Sequence, residues 1–217
     1  MATALTSGRS ATTAALLALG VAACTPQGDP ALGSGFRDDF ERAQLGTAWR
    51  STGGPWEIRN GKLHVRGARN KPLWLRRVLP RSVRIEVDVQ SDSDDGDIKV
   101  EVFGDGVSRA EQASYRATSY VLVHGGWSNT VSIIARMDEH GNDRRERRGS
   151  PVERGRRYRW VIERRPGSNA LTWAIDGQPF LRIDDGDPLF GAGHDHFAFN
   201  NWETELWFDN LVVRPLR

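Results

Sequence analysis

Two segments between Val83 and Val102, separated by the polar run Gln90–Asp97, alternate apolar and polar residues with a period of two. In VRIEVDV, Val83, Ile85, Val87 and Val89 fall on one face, and Arg84, Glu86 and Asp88 on the other. DIKVEVF repeats the pattern with Ile98, Val100 and Val102 inside. Such a segment buries one face only when extended, because a helix would scatter the apolar set around its axis. Further strands are expected in KLHVRG, LWLRRV, SYVLVHG, TVSIIARM, RYRWVIERR, ALTWAID, QPFLRID, HFAFNNW and ELWFDNLVV. Asn60-Gly61, Pro166-Gly167, Asp176-Gly177 and Asp185-Gly186 supply turns between them. Many short strands with explicit turns predict an all-β chain, folded as a two-sheet antiparallel sandwich or jelly roll. No glycine loop stands between a strand and a helix, as nucleotide binding would need.

The first residues have a different character. MATALTSGRS carries one charge, Arg9, and an apolar run follows from Ala11 to Ala23. That run is short for a bilayer span and suits the core of a signal peptide. It ends in Val21-Ala22-Ala23-Cys24, which resembles the bacterial lipobox, and Cys24 is the single cysteine of the chain. The resemblance implies a signal peptide over 1–23 and lipidation at Cys24. With Thr25 rather than Asp next, it implies an outer-membrane destination. Residues 24–35, rich in Pro and Gly, are expected to be a flexible tether. The folded domain is expected over 36–217, monomeric and touching the membrane through the lipid alone.

The order of parts suggests a family. FRDDFERAQLGTAWR and PWEIRNGKLHV open the domain, RRYRWVIERRPGSNALTWAIDGQPFLRID forms a hairpin run, and LWFDNLVVRP closes it. This resembles the concanavalin A-like lectin/glucanase superfamily, and within it the family 16 glycoside hydrolase-like and 3-keto-disaccharide-hydrolase-type domains. The resemblance implies a convex and a concave sheet, with sugar-type ligands on the concave side. It also implies a structural calcium held by Asp209 and the carbonyl of Gly61, oxygen ligands being what a hard cation takes.

Glu86 and Asp88 match the start of the family 16 carboxylate motif, but Gln90 stands where its last carboxylate is needed, and Gln cannot exchange a proton as a carboxyl does. Pairing Val89 with Ile98 would make a hairpin with Asp88 opposite Lys99, so these carboxylates are read as a solvated polar face. SDSDDGD, from Ser91 to Asp97, departs from the order of a calcium-binding loop and is read as an acidic turn.

A ligand site is expected elsewhere. In GHDHFAFNNWET, Phe197 and Phe199 face one way, while His196, Ala198, Asn200 and Trp202 face the other. A flat aromatic beside amide and imidazole groups is what a sugar requires. HGGWSNT offers His124, Trp127 and Asn129, with Arg136, Asp138 and His140 downstream. The expected carbohydrate-binding set is therefore His124, Trp127, Asn129, Arg136, His194, His196, Asn200 and Trp202. His194-x-His196 would also suit zinc if the fold supplied further ligands. The run RRERRGSPVERGRRYR, from Arg144 to Arg159, is read as a solvated loop and strand; an exported protein has little occasion to meet nucleic acid.

Two principal functions follow as expectations. One is a lipid-anchored envelope module that binds glycan or another envelope ligand without catalysis. The other is a glycoside hydrolase or polysaccharide lyase using the His and Asp groups of HDHFAFNNW. A purely structural envelope protein is compatible with the same residues.

Overall fold

The computed structural model describes residue 1, residues 28–111 and residues 115–217. The expected signal peptide and Cys24 lie outside the described residues. Fifteen strands follow one another: β1 (Phe36–Asp38), β2 (Trp49–Ser51), β3 (Glu57–Arg59), β4 (Lys62–Arg66), β5 (Leu73–Leu75), β6 (Val83–Ser91), β7 (Ile98–Gly104), β8 (Tyr120–Gly125), β9 (Val131–Arg136), β10 (Arg145–Arg148), β11 (Arg157–Arg164), β12 (Ala170–Ile175), β13 (Gln178–Asp184), β14 (His196–Asn200) and β15 (Glu205–Pro215). All the ladders between them are antiparallel. One sheet runs β13-β12-β11-β6-β15-β4-β3, with β1 added to the far half of β15; the other runs β10-β9-β8-β7-β14-β5-β2. This is the expected two-sheet sandwich.

The inner faces of both sheets make one core. Phe199 lies at its centre, 4.4 Å from Phe208 and 5.3 Å from Trp49 between ring centroids. Trp160 and Trp173 pack against each other, tilted by 59° with centroids 4.4 Å apart. Two hairpins close as their turn residues require. Asn60 and Gly61 have φ of 53° and 67°, and Asp176 and Gly177 have 51° and 77°. Two successive left-handed residues form the turn whose twist matches the strands it joins.

Three expectations need correction. First, β6 and β7 do not form a hairpin. Both edges of β6 are occupied, by β11 and β15, and both edges of β7 by β8 and β14. The acidic stretch from Asp92 to Asp97 crosses from one sheet to the other. Second, Asp88 does not meet Lys99. It receives hydrogen bonds from Arg159 and Asn210, each at 3.0 Å, on the outer face of the eight-stranded sheet. Glu86 shares that face with Arg84, Arg159 and Arg214. Burial alone would raise its pKa, but the three guanidiniums outweigh it and hold the carboxyl down at about 2. Such a group stays ionised and paired.

Third, the expected tether is partly docked. Asp29 accepts Arg50 at 2.9 Å and Arg76 at 3.0 Å, Val78 donates its N–H to the Pro30 carbonyl, and Leu32 is buried in the core. The arginine run becomes the exposed edge strand β10 and the approach to β11. Charged side chains on an edge strand discourage another chain from adding to it.

Candidate functional site

The outer face of the seven-stranded sheet carries a groove of about 800 Å³. Its position follows from the register. Ile98 lies opposite His124, and Lys99 opposite Asn200. The start of β7 therefore sits between the ends of β8 and β14. The turn after β8 carries Trp127, and the segment after β14 carries Trp202. Both tryptophans line the groove and are about 40 % exposed. Between them lie Asp95, Asp97, Lys99, Asp138, Glu139, His140 and Glu203.

Each tryptophan is fixed by an asparagine. Trp127, Ser128 and Asn129 are three successive left-handed residues, with φ of 50°, 54° and 62°. Asn129 holds the turn in place: its amide donates to the Asp94 and Val152 carbonyls at 2.9 and 2.8 Å, and its Oδ1 accepts from the Val152 N–H at 2.7 Å. The Trp127 ring meets His140 edge-on at 5.7 Å, and the Arg144 guanidinium covers it at 4.8 Å. On the other side, Asn201 accepts the Ala68 N–H at 2.8 Å and donates to the Thr204 carbonyl at 2.8 Å. The Arg69 N–H donates to the Trp202 carbonyl at 2.9 Å.

Backbone strain gathers here. Twelve described non-glycine residues have positive φ. Seven of them (Arg69, Asn70, Asp97, Trp127, Ser128, Asn129 and Met137) line the groove or adjoin a lining residue in sequence. Each such residue costs about 1–3 kcal/mol unless, like Asn, it tolerates this region. Strain held by surrounding contacts is a mark of functional segments.

The floor is ionisable. Lys99 is almost fully buried, with its ammonium 2.8 Å from Glu139 and 3.2 Å from Asn70 Oδ1. Burial opposes its charge, but Glu139 and Asp97 offset this and raise its pKa. Burial, reinforced by Glu139 and Asp95, pushes Asp97 up to about 6 against the pull of Lys99. Two residues along the same face of β7, Glu101 is fully buried. It accepts Tyr115 at 2.9 Å, Ser119 at 2.6 Å and Asn200 at 2.6 Å. Burial outweighs these donors and carries its pKa to about 7.

Among the residues expected at a ligand site, the groove brings together Trp127 and Trp202, while Asn200 is buried and donates to Glu101 at 2.6 Å. Asp138 and His140 line it as well. The others are placed elsewhere. His124 points into the core, 5.2 Å from Tyr158 and 5.1 Å from Phe180; burial lowers its pKa to about 4, so it stays neutral. Asn129 serves the Trp127 turn. Arg136 reaches across to Asp185 at 3.0 Å at the rim of the sandwich. The His194 ring lies 2.6 Å from the Thr118 carbonyl. His196 sits between Asp195 at 2.6 Å and Asp29 at 3.3 Å. His124, His194 and His196, which a histidine-based catalytic centre would have to bring together with a carboxylate, thus do not converge in the groove. Among the described residues no group of three or more His, Cys, Asp or Glu side chains is arranged to hold a metal ion, the Asp29–His196–Asp195 contact included.

Lys99, Glu101, Asp97, Tyr115 and Glu139 were not anticipated. The available signal was IKVEVF, where a Lys and a Glu occupy the second face of a strand whose first face is apolar. That face is buried by the loops around Tyr115 and Glu139, which alternation does not reveal.

Asp209 lies on the outer face of the eight-stranded sheet. The pairing of Phe208 with Leu63 sets it opposite Lys62, beside Gly61. Burial raises its pKa, with Asp88 and Glu41 adding to the effect. The Glu41 carboxylate crowds Gly61 so closely that a β-carbon there would lie 2.5 Å from it.

No protein-family model matches the chain, and no curated protein matches it. Solved structures do. A carbohydrate-binding module, CBM66, from Bacillus subtilis superposes with a TM-score of 0.59 at 12% identity, covering 79% of this chain and 98% of the module. A β-glucanase from Bacillus licheniformis gives 0.59 at 12% identity, over 85% and 99%. A Bacillus subtilis protein with a galectin-like fold gives 0.59 at 13% identity, over 85% and 98%. At this identity the likeness is one of fold, and the fold is the concanavalin A-like jelly roll.

Proposed function

We propose that the protein binds carbohydrate in the groove between Trp127 and Trp202. The observation that carries this reading is the pair of half-exposed indoles held on asparagine-clamped turns, that of Trp127 being left-handed, across a polar floor. Indole faces pack on the C–H faces of a sugar, and Asn70, Asp97 and Lys99 are placed for its hydroxyls. The groove volume is that of a small-ligand site. Several proteins of the same fold are carbohydrate-binding modules or glucanases by name. A glycan array run with the domain from Gly28 onward, followed by titration of each hit against Trp127→Ala and Trp202→Ala, tests the reading. Each substitution is expected to weaken binding at least tenfold; unchanged binding in both overturns it.

One observation favours hydrolysis as a second reading. Asp97, Glu101 and Glu139 gather around Lys99, and two of them hold a proton into the pH range where acid–base chemistry operates. Glycan cleavage that disappears in Glu139→Gln and Asp97→Asn, with binding retained, would establish it.

Export, lipidation of Cys24 and outer-membrane attachment belong to the same proposal. They rest on the lipobox-like sequence and are tested by the mass of the mature N-terminal peptide. Calcium at Asp209 also remains a proposal. Burial raises Asp209 and the like charges of Asp88 and Glu41 add to it, a strain that a cation would relieve. No third ligating side chain completes a cluster among the described residues, so backbone carbonyls such as that of Gly61, and water, would have to supply the rest. A melting temperature raised by calcium and restored by a chelator is the expected result.

A further inference from the structure

The charges lining the groove discriminate among sugars. Five carboxylates (Asp95, Asp97, Asp138, Glu139 and Glu203) face two permanent cations, Lys99 and Arg116. Three of the five have partners. Glu139 pairs with Lys99 at 2.8 Å, Asp138 with Arg116 at 3.4 Å, and Glu203 with Arg69 at 3.1 Å. Asp95 and Asp97 make no salt bridge among the described residues, and Asp97 feels Lys99 only at longer range. Asp97 lies on the floor between the two indoles, and its carboxylate accepts no hydrogen bond from a described residue. Its backbone is left-handed, with φ of 51° directly after Gly96 at 66°. Gly96 is confined by the Gly125 carbonyl, 2.8 Å from where a β-carbon would stand. The chain thus accepts strain to set an unpaired carboxylate in a partly desolvated groove, where an unpaired charge is costly. An arriving cation would relieve it, and indole faces attract cations as well as C–H groups.

Building on the carbohydrate-binding reading, we propose that the groove takes an amino sugar with its amine free and protonated. The ammonium lies against Asp97, and the ring packs on Trp202 and on the face of Trp127 that Arg144 leaves uncovered. A neutral hexose would leave Asp97 unpaired. A uronic acid or sulfated sugar would add a negative charge to it.

The test is calorimetric titration of the domain from Gly28 onward with glucosamine oligomers, their fully N-acetylated counterparts and neutral glucan oligomers, at pH 7 and two salt concentrations. The glucosamine oligomer is expected to bind about tenfold more tightly than the acetylated one, as a charge-assisted hydrogen bond requires. That preference is expected to shrink with salt and to vanish in Asp97→Asn, while weak binding of the acetylated oligomer persists. Asn tolerates the left-handed backbone, so the variant keeps the turn. Trp202→Ala is expected to weaken all sugars that bind, which separates seating in the groove from general attraction to an acidic surface. Equal or tighter binding of the acetylated or neutral oligomers, or an unchanged preference in Asp97→Asn, overturns the amino-sugar proposal and leaves the groove as a glycan site. Failure of every glycan to bind overturns the groove reading itself.

Discussion

Glu101 is the group whose environment makes the sharpest quantitative demand. It is fully buried, yet three donors surround it: Tyr115, Ser119 and Asn200. Burial raises its carboxyl from an ordinary 4.5 to about 7. The folded state therefore holds the proton more tightly than the unfolded chain. Stability from this group is fully present below pH 4.5 and is lost as pH rises through 7. A shift of this size corresponds to about 3 kcal/mol across the window. Glu101→Gln removes the titration while keeping the shape. Its amide oxygen can take the place of Oε1 and accept from Asn200, whose own amide is oriented by the Asn201 N–H at 2.6 Å. Its NH₂ then donates to the Ser119 hydroxyl, which can rotate to accept.

Two other groups act in the same range. Asp97, raised to about 6, adds to the slope, whereas His124, lowered to about 4, opposes it between pH 4 and 6.5. The wild-type curve alone is thus uninformative, and the difference between the two proteins isolates Glu101. Urea unfolding at pH 5, 6, 7 and 8 is expected to show Glu101→Gln gaining about 2.5 kcal/mol on the wild type between the ends of that series. A difference that stays flat with pH would refute the raised proton affinity assigned to this carboxyl.

Asn129→Ala removes three hydrogen bonds and leaves Ala at a left-handed position. Stability is expected to fall by about 2–3 kcal/mol, with a changed fluorescence contribution from Trp127. Phe199→Ala opens the centre of the aromatic core and is expected to cost about 3–5 kcal/mol in chemical unfolding. Asp29→Ala frees Arg50, Arg76 and His196. Hydrogen exchange at the Val78 amide, which donates to Pro30, is expected to accelerate while exchange in β6 and β7 stays slow.

Strands and tight turns were legible because they depend on short-range rules. Alternation located β6, β7 and β15, and the Asn-Gly and Asp-Gly pairs closed the hairpins where left-handed residues were needed. Partners were not legible. VRIEVDV and IKVEVF have the same period, so each defines a face without naming its neighbour, and they belong to opposite sheets. In YVLVHG both faces are apolar: Tyr120, Leu122 and His124 turn inward, and Val121 and Val123 turn outward. Nothing local distinguishes the two, and His124 was assigned to the wrong one.

The groove was half legible. Trp127 and Trp202 stood out as large aromatics among glycine, asparagine and polar residues. Lys99 and Glu101 did not, because their burial comes from loops distant in the chain, around Tyr115 and Glu139.

The central claim is that the two indoles form one sugar-binding surface. Its most direct test is the affinity of any glycan hit for the wild type, Trp127→Ala, Trp202→Ala and the double variant, with unfolding curves confirming that all four are folded. Each single substitution is expected to reduce affinity at least tenfold, and the double variant is expected to lose measurable binding. Full affinity in the double variant would contradict the claim and move the site off the groove.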